Sequence, residues 1–188
     1  MPKRTASRTL LFVGACFKNK GLEVLFDAMP AVFAGYPGVE LHIYGRTVRR
    51  QEAWFSEALR KVSQHGPVLM KGDVSPKQLR AAFANADLLA SPSRFEGSPR
   101  AVREALAGGC PCLLSAIPGH LGLDLDQRFI RFLAGESPAL WSEAILESLM
   151  QDDEAWIERS SAGVNAMRTH YSLEAVSNAL FDRYESLF

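Results

Sequence analysis

Short apolar runs that end in glycine alternate with amphipathic stretches along this chain. The runs at 9–14 and 39–45 read TLLFVG and VELHIYG, a third covers 67–72, and each is predicted to be a strand. Between them, apolar side chains recur at helical spacing, as in 22–33 and 52–62. Strands that alternate with helices predict an α/β fold: a doubly wound, Rossmann-like parallel sheet that binds ligands at the carboxyl ends of its strands.

The segment 87–115 carries the most distinctive local pattern, DLLASPSRFEGSPRAVREALAGGCPCLLS. It is predicted to form a strand, a loop, a short helix and a second strand, with Glu96 at the end of the first strand and directly before Gly97. On the helix, Glu104 lies roughly opposite the apolar stripe. Glu96 is therefore expected at the ligand-binding edge of the sheet, and Glu104 on a helix face that the core leaves free.

The start of this helix is predicted to offer an anion site. Ser98 suits the N-cap, and Pro99 suits the first helical position, where its missing N–H has no cost. The amides of Arg100 and Ala101 are then expected to be free. Free amides at a helix N-terminus favour the binding of phosphate.

The pattern of Glu96, seven residues and Glu104, in its strand, turn and helix setting, resembles the E-x7-E segment of retaining nucleotide-sugar glycosyltransferases. These enzymes have two Rossmann domains, the GT-B architecture, and are of the glycosyltransferase family 4 or group 1 type. The resemblance covers about 10–188 and matches the C-terminal, donor-binding half. It implies that Glu104 binds the ribose and that Glu96 is catalytic and approaches the donor sugar. The implied substrate is a UDP- or GDP-linked sugar, with no cofactor and no metal.

In the resembled family, the loop after the first strand reads glycine-arginine, four residues and lysine-glycine, and its two cations neutralise the donor diphosphate. Lys20 and Gly21 fit this pattern and make Lys20 a catalytic candidate, but Ala15 stands at the arginine position. The resemblance implies these donor-binding positions: Gly14, Gly72, Val74, Gly97, Ser98, Arg100, Ala101 and Glu104.

Four further side chains lie in loops that the resemblance brings near the donor: Lys18, Arg46, Arg94 and His120. Lys18, Arg94 and Arg100 are alternatives for the missing arginine. Arg46 opens a basic loop, although such charge runs are more often a solvated surface. His120 has no carboxylate, serine or cysteine partner at a recognisable catalytic spacing. A loop histidine without function is therefore the favoured interpretation.

Composition and charge narrow the function classes. The 188 residues carry 21 Lys and Arg against 21 Asp and Glu, so no basic excess indicates nucleic acid as a partner. No apolar run approaches the ~18 residues of a membrane span. The apolar stretch before Cys16 is also shorter than the ~7–15 residues of a secretory signal. Together with Cys110 and Cys112, Cys16 is predicted to be a buried thiol in a reducing cytoplasm.

The sequence predicts one nucleotide-sugar-binding domain over 9–188, with an exposed segment at 1–8 and a final helix at about 172–187. By resemblance, an N-terminal acceptor-binding domain or a separate subunit is the expected partner, with a glycan or lipid-linked acceptor at the inner face of a membrane. Alone, the chain is expected to bind nucleotide without transferring sugar. A second hypothesis, motivated by Ala15, is a noncatalytic nucleotide-sugar-binding or protein-interaction module derived from a glycosyltransferase.

Overall fold

A computed structural model describes residues 7–123 and 129–186. Its strands form one parallel sheet in the order β3-β2-β1-β4-β5-β6, which confirms the predicted fold class. The order reverses between β1 and β4, and open α/β sheets bind ligands at such a point. The strands are β1 (Arg8–Val13), β2 (Val39–Tyr44), β3 (Val68–Gly72), β4 (Leu88–Ser91), β5 (Cys112–Ser115) and β6 (Ile130–Leu133).

Helices cover both faces of this sheet. α1, α2 and α6 lie on one face, and α3, α4 and α7 on the other. In the described part of the chain the helices are α1 (Leu22–Gly35), α2 (Glu52–Val62), α3 (Pro76–Asn85), α4 (Arg100–Ala107), the single turn α5 (Pro118–Leu121), α6 (Pro138–Met150), α7 (Asp153–Tyr171) and α8 (Leu173–Glu185).

Alternate side chains of β1 enter two separate cores. Leu10 and Phe12 pack with α1, α2 and α6, where Trp141 is fully buried. Leu11 packs on the other face with α3, α4 and α7, where Phe83 is buried. Because successive side chains of a strand point to opposite faces, a central strand between two helical layers is apolar throughout. The continuous apolar run at 9–14 in the sequence is therefore this central strand, β1.

The two ends of the domain differ slightly from the prediction. β1 begins at Arg8, within the segment predicted to be exposed, and residues 1–6 lie outside the described residues. The final helix is α8, where the hydroxyl of Ser172 accepts from the amide of Ala175 at 3.1 Å. Residues 187–188, at the end of the predicted helix, also lie outside the described part.

Helix α8 presents an apolar face to solvent. It contacts α7, and none of its residues is buried. Within the described ranges, no helix has the length and apolar character of a membrane span. The large exposed side chains of α8 are Leu173, Val176, Leu180, Phe181 and Tyr184.

Two glycines allow loops to cross closely at the carboxyl ends of the strands. A Cβ atom on Gly21 would lie 1.9 Å from the carbonyl oxygen of Pro92, and one on Gly119 would lie 1.9 Å from that of Glu96. Both distances are far below van der Waals contact. The loop after β4, which contains Pro92 and Glu96, is therefore held between the loop after β1 and the turn α5.

We expect Gly21→Ala to destabilise the domain more than Gly72→Ala does. Both glycines have left-handed backbone, with φ of 65° and 64°, so each substitution carries the same strain of about 1–2 kcal/mol. A Cβ at Gly72 meets nothing within 4 Å, whereas one at Gly21 meets Pro92. The crowding at Gly21 should add about 1–3 kcal/mol. Urea unfolding of both variants measures the difference, and equal losses would contradict the proposed loop contact.

Candidate functional site

A cleft of about 580 Å³ lies at the carboxyl ends of β1 and β4, where the strand order reverses. The loop after β1, the loop and helix after β4, and the start of α3 form its walls. Apart from Gly72 and Gly97, all residues of the predicted catalytic and donor-binding set line it. These lining residues are Gly14, Lys20, Val74, Glu96, Ser98, Arg100, Ala101 and Glu104.

An ion pair stands in the wall of the cleft. Nζ of Lys20 donates to Oε1 of Glu96 at 2.7 Å, and the hydroxyl of Ser93 donates to the same oxygen at 2.7 Å. The side chains of Lys20 and Glu96 are 24% and 14% exposed, so both charges are substantially removed from water. The ammonium of Lys20 carries three N–H donors, and in the described part of the chain Glu96 is the acceptor for one of them. Lys20 therefore has donors left for an anion in the cleft.

The predicted cap of the helix after Glu96 is wrong. Pro99, rather than Ser98, occupies the N-cap position, and α4 begins at Arg100 with no side-chain cap. The backbone at Pro99 has ψ of 74°, which is outside the helical range, so the helix starts one residue later. The hydroxyl of Ser98 instead accepts a hydrogen bond from the guanidinium of Arg103.

The free amides at the start of α4 also lie one residue later than predicted. The amide of Arg100 donates to the carbonyl of Ser98 at 2.8 Å, so the prediction that it is free is wrong. Within the described residues, the amides of Ala101 and Val102 donate to no protein acceptor. The exposed side chains of Arg100 and Glu104 line the same cleft. The cleft therefore contains two free amides, an arginine and a carboxylate along one helix.

A recess of about 380 Å³ adjoins the cleft and shares Val74 with it. Gly72 lies in this recess, together with Arg46, whose Nε is 3.4 Å from Oδ2 of Asp73. Because the Arg46 side chain is 82% exposed, this pair has little effect on stability. Gly97 is exposed and lines neither the cleft nor the recess.

Two of the alternatives for the missing arginine, Lys18 and Arg94, have partners outside the cleft. Arg94 donates to both carboxylate oxygens of Glu136, at 2.8 and 2.6 Å, and also to Glu23 and to the carbonyl of Lys18. The hydrogen bonds that Arg94 donates to Glu136 and Glu23 raise its pKa. Nζ of Lys18 lies 5.6 Å from the ring centroid of Trp54. Neither cation lines the cleft, and Arg94 instead ties three loops together.

His120 is a fully buried residue of the turn α5, rather than a loop histidine. Its Nδ1 is 2.8 Å from the carbonyl oxygen of Ser115, and its Nε2 is 3.5 Å from the hydroxyl of Ser91. Burial lowers the pKa of His120, and the hydrogen bond to Ser115 opposes that change. The serines lie 5 and 29 residues away in sequence, on adjacent strands, so no local spacing could reveal them.

The three cysteines are buried, as predicted. Burial raises the pKa of Cys16 to about 11 and that of Cys110 and Cys112 as well. All three are free thiols. Within the described residues, no group of three or more His, Cys, Asp or Glu side chains is arranged to hold a metal ion.

Residues 7–151 match the family model described as glycosyl transferases group 1. The chain belongs to this family. It is 24% identical over 188 residues to a D-inositol 3-phosphate glycosyltransferase of Corynebacterium urealyticum, a match that covers 97% of this chain and 44% of the relative. The curated relatives it matches are thus more than twice as long as the matched part.

Two solved structures share the fold of this chain. A mutant of S. aureus TarM, in complex with fondaparinux, alpha-GlcNAc-glycerol and UDP, aligns with a TM-score of 0.82 at 18% identity, covering 96% of this chain and 36% of TarM. The C-terminal domain of LpcC, a group 1 family protein of Francisella tularensis, aligns with a TM-score of 0.79 at 17% identity. That match covers 88% of this chain and 87% of the LpcC domain. The fold is that of a GT-B C-terminal domain.

We expect the free energy of unfolding to fall as the pH drops below about 6.5, the ordinary pKa of histidine. The folded pKa of His120 is lowered, so in this range the unfolded chain binds more protons than the folded chain, and acid favours unfolding. One such proton contributes a slope of at most about 1.4 kcal/mol per pH unit. His120→Asn should remove this part of the slope in urea unfolding measured between about pH 7.5 and 5.

The matched control is His42→Asn. His42 lies on β2, and its Nε2 is 2.8 Å from Oε2 of Glu40, so the control makes the same substitution at another histidine outside the cleft. If the free energy of unfolding falls with pH as steeply in His120→Asn as in His42→Asn, His120 is not the source of the acid slope.

Proposed function

We propose that this chain is the donor-binding half of a retaining glycosyltransferase. It binds a UDP- or GDP-linked sugar, which is transferred to a glycan or lipid-linked acceptor. One observation carries this proposal: Lys20, Glu96 and Glu104 share a single cleft with the free amides at the start of α4. Membership of the group 1 family supports transfer as the reaction class.

The diphosphate of the donor is proposed to bind between Lys20 and the start of α4. The ammonium and the amides of Ala101 and Val102 supply fixed positive charge and N–H donors, which suit phosphate oxygens. Negative charge grows on the leaving diphosphate during transfer, and preorganised donors stabilise it without reorganising. In this mechanism no divalent cation is required. UDP is present in the structure of TarM, which has the same fold.

The two carboxylates are proposed to bind opposite ends of the donor. Glu104 is one turn further along α4 than the free amides, and its carboxylate accepts hydrogen bonds from ribose hydroxyls. Glu96 stands beside Lys20 in the cleft wall and accepts from hydroxyls of the transferred sugar. Gly72, Val74 and the recess that they line are proposed to contact the base through the backbone.

The acceptor site is proposed to lie in a second half, either another domain or another subunit, because the curated relatives are more than twice as long as the matched part. The exposed apolar face of α8 is a surface that such a half would bury. A lipid-linked acceptor would place the complete enzyme in the cytoplasm at the inner membrane face. Sugar transfer by this chain alone would contradict the need for a second half.

A noncatalytic nucleotide-sugar-binding or protein-interaction module is the second candidate function. It is favoured by Ala15, which lines the cleft where the resembled family has an arginine. Since Lys18 and Arg94 are engaged elsewhere, Arg100 is the alternative arginine candidate that lines the cleft. A donor site with a single lysine and one exposed arginine would bind a diphosphate more weakly than one with the full pair of loop cations.

We expect a nucleoside diphosphate or nucleotide sugar to raise the melting temperature of the domain in a base-selective manner. Ligand at about 100 times its Kd adds about 2.7 kcal/mol, which is a shift of about 2–4 °C for a domain of this size. Glu104→Ala should abolish most of this shift, because it removes the acceptor for the ribose hydroxyls. Thermal unfolding against UDP, GDP, ADP and their glucose or mannose conjugates measures it.

Glu143→Ala is the control for this experiment. Glu143 is an exposed glutamate on α6, on the opposite face of the sheet from α4, so its removal should leave the ligand shift unchanged. If no ligand shifts the melting temperature of the unmodified chain, a donor site is excluded, and the protein-interaction module becomes the better explanation.

We expect Ala15→Arg to raise the affinity for a nucleoside diphosphate by about ten- to a hundredfold, since a charge-assisted hydrogen bond is worth about 1.5–3 kcal/mol. Ala34→Arg, at an exposed position on α1, adds the same charge on an outer helix face. Isothermal titration calorimetry compares the two variants. A gain in Ala15→Arg alone supports a weakened donor site, and an unchanged affinity favours the noncatalytic module.

A further inference from the structure

Beneath the cleft, a buried imidazole has a defined arrangement of hydrogen bonds. Nδ1 of His120 is 2.8 Å from the carbonyl oxygen of Ser115 and 3.2 Å from its hydroxyl. A carbonyl oxygen only accepts, so Nδ1 carries the hydrogen. In the neutral ring Nε2 is then an acceptor, and the hydroxyl of Ser91 is its partner at 3.5 Å.

Two serine hydroxyls lie between this imidazole and the ion pair in the cleft. Oγ of Ser91 is 3.4 Å from Oγ of Ser93, which donates to Oε1 of Glu96 at 2.7 Å. The same carboxylate oxygen accepts from Lys20 at 2.7 Å. A row of polar atoms therefore runs from the buried ring of His120 to a charged group that lines the cleft. With a neutral ring, Ser91 gives its one hydrogen to Nε2 and Ser93 gives its one to Glu96, so no hydrogen bond joins the two serines.

The segment around His120 also supports the backbone of the same loop. The hydroxyl of Ser115 donates to the carbonyl of Ser93. Gly119, next to His120, packs so closely on the backbone of Glu96 that a Cβ atom would lie 1.9 Å from its carbonyl oxygen. β5 and α5 thus contact the loop 91–96 through backbone atoms as well as side chains.

We propose that His120 is a positioning residue for Glu96. The ring is hydrogen-bonded to Ser115, whose hydroxyl donates to the carbonyl of Ser93. Together with the packing of Gly119 on the backbone of Glu96, this contact holds the carboxylate beside Lys20 and towards the cleft. This inference rests on the proposed function, in which Glu96 meets the transferred sugar. It predicts that substitution of His120 weakens the binding of the sugar part of the donor and leaves the binding of the nucleotide part unchanged. The ring itself would contact neither part.

Protonation of His120 would join the two serines. Nε2 would then donate to Ser91, whose own hydrogen becomes free for Ser93, and a continuous chain of donors would end on Glu96. Two charged groups act on the ring: Glu96 favours the imidazolium, and Lys20 opposes it. The state of His120 is therefore coupled to both members of the ion pair, which makes the coupling measurable without any ligand.

The first test compares two ligands that differ only in the sugar, UDP against UDP-glucose and GDP against GDP-mannose, by calorimetry. His120→Leu has a similar volume and removes both ring nitrogens, including the donor to Ser115. We expect it to weaken binding of the nucleotide sugar by about tenfold, or about 1.4 kcal/mol, and that of the nucleoside diphosphate by less than about twofold. Ser115→Ala should have the same effect, and the double variant should lose no more than either single one. His42→Leu should change neither affinity.

The second test reads the ring directly, by nitrogen-15 NMR of the unliganded chain. We expect the Nδ1–H tautomer of His120 at pH 7. Glu96→Gln should lower its pKa, and Lys20→Met should raise it. The proposal would be overturned by the opposite tautomer, or by a pKa of His120 that neither variant changes. Equal losses of affinity for the nucleotide sugar and the nucleoside diphosphate would also overturn it. If the unmodified chain binds no nucleotide at all, the proposed function fails, and the NMR result still decides whether His120 and Glu96 are coupled.

Discussion

The close packing of Gly119 on the backbone of Glu96 is the contact on which the candidate site depends. A carboxylate with only 14% of its side chain exposed is stable as an anion only if hydrogen bonds and an opposite charge replace water. Ser93 and Lys20 provide these partners. Each partner is within reach because glycine lets the loop after β4 lie directly against its neighbours, and Gly21 does the same on the other side.

Cations in adjacent loops have different roles, and the neighbouring carboxylates determine which role each one has. Arg94 does not line the cleft, because Glu23 and Glu136 bind it in a geometry that a guanidinium matches well. Lys20, one loop away, has only Glu96 as a carboxylate partner among the described residues and remains on the cleft. The first interaction joins loops to each other, and the second leaves donors for a ligand.

The sheet and most of the cleft lining could be predicted from sequence because both follow local rules. Strand period and terminal glycines locate the strands, and parallel strands bring their carboxyl ends to one edge. The errors arose where tertiary contacts decide. Serine is a residue type that favours the N-cap, but the hydroxyl of Ser98 accepts a hydrogen bond from Arg103 instead. The role of Arg94 depends on carboxylates 42 and 71 residues away, and the partners of His120 come from two other strands.

The three buried thiols have a practical consequence. Maleimides and haloacetamides react with the thiolate, and Cys16, Cys110 and Cys112 are both shielded from solvent and shifted towards the protonated form. The folded chain should therefore be almost inert to these reagents. A single cysteine introduced on an exposed helix face could be labelled selectively with a fluorophore, without first replacing the native residues. The domain is thus suited to single-molecule observation of ligand binding in its natural sequence background.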